Sequence, residues 1–343
     1  MKITKKIALC IVPLLLCACT VGSEYDKQYD EEKSKELPIF LSSDLDNKMQ
    51  SLDKFEINLI KGYKTKKIKI DKVGKINGIL CRKDDILISD EKNDRLVRIN
   101  YQGDFIDEIG RKGDGELEFT RPSKIKEYNN KVYVLDAGNY RVKVLDENLK
   151  YIDDIKIDIA NNLKKDNEYL LTYMDVNKQG IYLNGLSYNE NDRVIYYDFD
   201  TNQISNLGDN FFGPIISYED KIYAINKLVK SYKKDDDIIE YRTGTNSLFF
   251  IDGDDLTFRN ECELPIGMCI SDFIFFDDKI IAISESFCSV NIFSKNGKYI
   301  GTIDTDIKLQ NIIDESRCID HNNSRIYISS FIPNEIYIFE KVE

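Results

Sequence analysis

Ile86-Leu87-Ile88-Ser89-Asp90-Glu91-Lys92-Asn93-Asp94-Arg95-Leu96 is answered 46 positions later by Val132-Tyr133-Val134-Leu135-Asp136-Ala137-Gly138-Asn139-Tyr140-Arg141-Val142. The match runs without a gap from Asp85–Gly110 onto Lys131–Lys156 and takes Phe105-Ile106-Asp107-Glu108-Ile109 onto Tyr151-Ile152-Asp153-Asp154-Ile155. A period in the forties fits propeller blades or paired-helix repeats. The runs inside each unit are short, rich in Val, Ile and Tyr, and broken by Asn-Asp, Gly-Asp and Asn-Tyr, which is strand-and-turn chemistry. Helix pairs would need apolar residues at 3.6-residue spacing, and these units have none.

Carried along the chain, the unit recurs at Ile181-Tyr182-Leu183 with Arg193–Tyr197, at Ile222–Ile225 with Ser247–Ile251, at Ile280–Ile303, and at Ile326-Tyr327-Ile328 with Glu335–Phe339. The sixth unit stops at Glu343 before any fourth strand, which would leave an open sheet edge. Lys66-Lys67-Ile68-Lys69-Ile70 is a strand with no unit of its own, so it is expected beside Ile336–Phe339, closing the ring. The predicted fold is all-β: a six-bladed β-propeller of four-stranded antiparallel blades whose last blade is completed by an N-terminal strand. It should occupy residues 51–343.

Asp90-x-x-Asn93-x-Arg95 and Asp136-x-x-Asn139-x-Arg141 resemble the core of NHL repeats. So does the connector Gly110-x-x-Gly113-x-Gly115-x-x-x-Phe119-x-x-Pro122, where glycines permit turn geometry and Phe119 can plug between blades. The pattern fades in blade 5, with Ser284 and Ser289 at the Asp and Arg positions, and in blade 6, with Ser330 and Glu335. Together with the N-terminus below, the chain is similar to six-bladed propeller lipoproteins of the Bacteroidota. That resemblance implies fold and export and brings no reaction with it.

Lys2, Lys5 and Lys6 precede an apolar run from Ile7 to Leu16, too short to span a membrane and suited to a signal-peptide core. Leu16-Cys17-Ala18-Cys19 resembles a lipobox. Residues 1–18 are therefore expected to be a lipoprotein signal peptide, with Cys19 the lipidated residue that anchors the protein to a membrane of the bacterial cell envelope. Residues 19–50 read as an acidic flexible tether that cannot bury enough surface to order itself. The formal net charge is −12, and removing residues 1–18, with three lysines and no acids, deepens it to −15. Such a field repels phosphate backbones, which argues against a nucleic-acid partner. The body's cysteines, Cys81, Cys262, Cys269, Cys288 and Cys318, are odd in number and lack CxxC spacing, which makes neither a disulfide framework nor a zinc site.

Asp90/Arg95 and Asp136/Arg141 face one another across short turns. They either fix the turn by charge-assisted hydrogen bonds or line one mouth of the ring and touch a ligand. Residues 227–244 of blade 4 depart from the repeat and read as a protruding hairpin. Insertions in repeat folds collect on loops of one face, often the binding face. Tyr232, Asp236 and Tyr241 on this hairpin, with the turn Tyr188–Asp192, are candidate contacts. Catalytic patterns are sparse: His321 is the only histidine, and neither a nucleophile elbow nor a phosphate loop is present. No cofactor is predicted, although carboxylates and carbonyls in the central channel could hold a divalent cation such as calcium. Asp236-Asp237 and Asp252-Gly253-Asp254-Asp255 are the densest acids, at expected turns. The sequence thus predicts a monomeric, non-catalytic scaffold presenting loops to a protein or glycan partner. The alternative is an exported cation-dependent hydrolase or lyase working in the channel.

Overall fold

The computed structural model describes residues 57–157, 169–187, 193–209, 211–226, 230–234, 237–241, 247–251, 258–263, 270–284, 289–305, 318–330 and 334–342. Residues 1–18, Cys19 and the tether lie outside this set, as do Asp236, Tyr188–Asp192 and Asp252–Asp255.

Six sheets form the blades, each built on four antiparallel strands. Blade 1 is Ile76–Cys81, Ile86–Asp90, Arg95–Ile99 and Phe105–Ile109; blade 2 is Pro122–Tyr128, Lys131–Asp136, Arg141–Asp146 and Tyr151–Lys156. Blade 3 runs through Tyr169–Val176, Gly180–Ser187, Arg193–Asp198 and Ile204–Asp209, and blade 4 through Ile215–Tyr218, Lys221–Ile225, Ser247–Ile251 and Phe258–Glu263. Blade 5 is Ile270–Phe276, Lys279–Ser284, Ser289–Ser294 and Tyr299–Ile303. The innermost strands of neighbouring blades touch in sequence from the first to the sixth, and the sixth returns to the first.

The ring closes as the orphan strand requires. Blade 6 takes Ile319–His321, Arg325–Ser329 and Glu335–Lys341 from the end of the chain and Tyr63–Lys69 from its beginning, with Lys66 opposite Ile338 and Ile68 opposite Ile336. In blades 1 to 5 the third and fourth strands slip register once, at one equivalent place in blades 1, 2 and 5, as between Arg98 and Ile99 or Ile292 and Phe293, and two residues earlier in blades 3 and 4. Such bulges sharpen strand twist. Blade 6 has none, because its fourth strand enters from elsewhere in the chain.

The core lies between blades, which explains why the second strands read as unbroken apolar runs. Ile86 and Ile88 pack toward blade 6 against Tyr327, Ile336 and Ile338. Leu87 points the other way, into a cluster with Ile125, Val132 and Val134 of blade 2. A strand covered on both faces has no polar side to display, and these three residues have no exposed surface.

Two details differ from the sequence reading. The sequence assigns residues 51–343 to four-stranded blades, yet Leu59–Ile60 adds to blade 5 as a parallel fifth strand beside Thr302 and Ile303. A two-residue strand leaves no periodic signal. The blade-4 insertion reads from sequence as a protruding hairpin that extends that blade's second and third strands; the hairpin is present, but it does not lengthen them. Instead Lys230–Lys234 and Asp237–Tyr241 pair into a separate two-stranded sheet, with Lys230 opposite Tyr241 and Tyr232 opposite Ile239.

Candidate functional site

The Asp-x-x-Asn-x-Arg motif builds a clamp. Asp90 ends the second strand of blade 1 without exposed surface. Its Oδ1 accepts from the backbone N–H groups of Gly74 and Lys75 at 3.0 and 3.1 Å, and its Oδ2 accepts from Asn93 Nδ2 at 2.7 Å and Arg95 Nε at 3.3 Å. Asp136 repeats the pattern with Thr120 N at 2.6 Å, Asn139 Nδ2 at 2.7 Å and Arg141 Nε at 2.7 Å. Burial pushes the Asp136 carboxyl up, against the pull of these donors. Each aspartate therefore sews the entry to its own blade onto the turn between the second and third strands.

Arg95 and Arg141 then reach the fourth strand, to Glu108 and to Asp154 respectively. Asp154 also receives Lys143 Nζ at 2.8 Å, and Lys143 and Arg141 together donate to carbonyls of the connector at Asp114, Gly115 and Glu118. Phe119 closes that connector, fully buried between blades 1 and 2. Its ring lies where a Cβ on Gly110, at φ +91°, would stand 2.5 Å away, so position 110 requires glycine. Blade 6 inverts the charges: Glu335 occupies the arginine position and takes Lys67 Nζ of its fourth strand at 2.9 Å.

The densest charge lies at the ring axis, on innermost strands. Lys124 and Lys126 come from blade 2, Asp175 from blade 3, Asp272 from blade 5 and Asp320 from blade 6. Lys124 Nζ meets Asp272 Oδ2 at 2.5 Å, both side chains nearly buried, so one ion pair joins blades on opposite sides of the ring. Lys126 Nζ holds Asp175 Oδ2 at 3.0 Å. Asp272 Oδ2 also accepts from Ile319 N, and Asp320 Oδ2 from Cys81 N at 2.7 Å. Tyr173 OH donates across the axis to the carbonyl of Ser271 at 3.1 Å. The space left among Lys124, Lys126, Tyr173, Asp272 and Cys318 is about 10 Å³, room for about one water molecule.

These charges tune one another. Burial alone would lower the Lys126 pKa, but Asp175, Asp320 and Asp272 raise it above the ordinary lysine value. Burial raises Asp320, while Lys126 and the backbone N–H groups of Cys81 and His321 draw it back. Burial pushes the Cys318 thiol up to about 11, and burial with the Asp320 carboxylate lifts Cys81 well above the thiol range. His321 packs its ring edge-on against Phe276 at 5.1 Å.

The structure keeps the predicted candidates apart. Asp90/Arg95 and Asp136/Arg141 sit in adjacent blades as separate clamps with their polar atoms engaged. Tyr232 and Tyr241 lie on the hairpin strands, one on each. The axial residues Lys124, Lys126, Asp175, Asp272 and Asp320 were not singled out from sequence, because they are scattered over four strands with no shared motif; only their shared place on innermost strands marks them. Among the described residues no three His, Cys, Asp or Glu side chains converge in a metal-ligating arrangement.

Six blades and a strand-closed seam define the class: a six-bladed β-propeller. Residues 28–248 match the DUF5128 family, described as 6-bladed beta-propeller, and the chain belongs to it. No curated protein matches the sequence significantly. Among solved structures, virginiamycin B lyase from Staphylococcus aureus is similar at 10% identity and a TM-score of 0.53, over 81% of this chain and 99% of that one. A structural genomics protein of unknown function from Bacteroides thetaiotaomicron VPI-5482 is similar at 10% identity and 0.54, over 81% of this chain and 76% of its own. A luciferin-regenerating enzyme is similar at 10% identity and 0.55, over 80% of this chain and 95% of its own. At such identities the likeness is one of fold.

Proposed function

We propose that this protein is an exported, lipid-anchored, non-catalytic scaffold of the bacterial cell envelope, presenting propeller loops to a protein or glycan partner. The observation that carries the reading is the Lys124–Asp272 pair: it bridges the axis where propellers often admit a ligand, and leaves room for about one water. Binding then falls to the faces of the ring. There the hairpin of Lys230–Lys234 and Asp237–Tyr241 is the main elaboration of the repeat. The Asp-x-x-Asn-x-Arg clamps support an NHL-like lineage, and the lipobox-like Leu16–Cys19 supports a lipoprotein of the Bacteroidota type. Each acyl chain on Cys19 contributes about 0.8 kcal/mol per buried methylene, so several would hold the protein on its membrane.

The test has two arms. Growth with an alkyne-palmitate should label the wild type and spare Cys19→Ser, which should leave the membrane fraction. Cross-linking in intact cells should recover a partner that is lost on deleting Lys230–Arg242. Unchanged partner recovery from the deletion would remove the hairpin from the binding surface.

A second reading places a cation-dependent hydrolase or lyase site in the channel. It is favoured by the field of Asp175, Asp272 and Asp320 on Lys126 near the axis and by a fold shared with virginiamycin B lyase and a luciferin-regenerating enzyme. It requires the Lys124–Asp272 pair to open. A stoichiometric divalent cation in purified protein, lost in Asp272→Asn, would favour it.

A further inference from the structure

The outer edge of blade 6 differs chemically from the outer edges of other blades. Residues 61–75 carry seven lysines and a single acid, Asp71, in a chain whose acids outnumber its bases by 60 to 48. Their focus is the closing strand Tyr63–Lys69, the last strand of its sheet. Side chains alternate along a strand, so Lys64 and Lys66 fringe one face of this edge and Lys67 and Lys69 the other. By contrast, Phe105–Ile109 carries Asp107 and Glu108 and no base, Tyr151–Lys156 carries Asp153 and Asp154 with one lysine, and Leu59–Ile60, the outer strand of blade 5, carries no charge. Charge of either sign discourages an open edge from pairing with another chain. Edge protection therefore accounts for charge here, but not for one sign alone.

Four of these lysines are engaged: Lys67 pairs with Glu335, Lys75 with Glu91 at 2.6 Å and Lys69 with Asp71 at 3.9 Å, and Lys72 lies over the Phe105 ring. Lys61, Lys64 and Lys66 are exposed and form no ion pair among the described residues. The strand offers cations over roughly 20 Å, at about 3.3 Å per residue.

We infer that this edge docks on an anionic phospholipid surface, with the outer rim of blade 6 against the headgroups. Charge complementarity is the first argument. At physiological salt, fields fade over about 8 Å, so a basic strip in contact outweighs acids on distant blades. The second argument is position. The strip begins at Lys61, close to the start of the described chain, and the preceding segment leads back to Cys19, so an anchor there delivers this edge to the membrane before any other. The inference rests on the lipid-anchor reading for this placement only.

The experiment uses the mature chain 19–343 with Cys19→Ser, so no acyl group contributes. It measures co-sedimentation with vesicles of equal parts phosphatidylcholine and phosphatidylglycerol, and with phosphatidylcholine alone. Binding should require the anionic lipid and weaken as salt rises. The triple variant Lys61→Gln, Lys64→Gln, Lys66→Gln should bind on the order of a hundredfold more weakly, at about fivefold per lysine near such a surface. Arginine at the same positions should retain binding. A control triple on the rim of blade 2, Lys131→Gln, Lys150→Gln, Lys156→Gln, changes net charge equally and should bind as wild type. No preference for anionic vesicles, or equal loss in the control triple, overturns the inference. So does binding of soluble polyphosphate through the strip while vesicles fail. Palmitate labelling at Cys19 does not enter this assay, so failure of the anchor and failure of the docking edge read out separately.

Discussion

Lys124 holds Asp272 at 2.5 Å across the ring, from the innermost strand of blade 2 to that of blade 5. An ion pair in a nearly dry axis has a known asymmetry: breaking it is costly, whereas replacing both partners by apolar residues is often neutral. Asp272→Ala should lower the unfolding free energy by about 3–5 kcal/mol, read as a lower urea midpoint. The double variant Lys124→Met, Asp272→Leu should recover most of the loss. A double variant as unstable as the single would show that the pair does more than cancel its own charges.

Two carboxylates should shift stability with pH in opposite directions. Burial holds Asp320 above its ordinary 3.8, so its retained proton stabilises the fold at low pH, and that contribution is lost as pH rises through the raised value. Asp320→Asn should therefore gain on the wild type as pH climbs from about 4. Burial would also raise Glu335, but the hydrogen bonds from Lys67 and Tyr337 outweigh it and the pKa falls below 4.5. Its contribution is present above 4.5 and lost as pH falls through the depressed value. Glu335→Gln should thus be less stable than wild type at neutral pH and level with it in acid, by chemical denaturation at each pH.

The two clamps should differ in cost. Arg141 is nearly buried, at 6% side-chain exposure, while Arg95 is at 18%. Asp136→Ala strands the more deeply buried cation and should cost about 3–5 kcal/mol. Asp90→Ala should cost less, because water reaches Arg95. Equal losses in urea titrations would mean that the backbone hydrogen bonds to the aspartate, common to both clamps, carry the energy.

Cys81 and Cys318 should be silent in the folded protein. A thiol with a pKa of about 11 is on the order of one part in a thousand thiolate at pH 8. Neither should react with iodoacetamide in native buffer, and both should react on unfolding, as tryptic mass mapping would show.

The ring was legible because the clamp is written in side chains: Asp90, Asn93 and Arg95 recur as Asp136, Asn139 and Arg141, each with a fixed partner. The seam was legible for a different reason, since Ile68 amid lysines needed a sheet to join and the sixth unit lacked a strand. Where Ser284 and Ser289 replace the clamp, sequence similarity fades, yet the bulge at Ile292 and Phe293 persists, because the fourth strand's twist is a backbone property. The axial network was invisible for the reverse reason. Asp175, Asp272 and Asp320 are far apart in sequence and surround Lys126 with charge only when the ring closes. The parallel pairing of Leu59–Ile60 had no signal at all.

The inverted pair Lys67–Glu335 also acts as a lock that fits one key. Were Tyr63–Lys69 to pair against the third strand of blade 1 or 2 during folding, its lysines would confront Arg95 or Arg141. Were the acidic outer strand of either blade to stray to the seam, Asp107 and Glu108 or Asp153 and Asp154 would confront Glu335. Polarity therefore sorts the closing strand to the last blade, and mispaired rings are penalised.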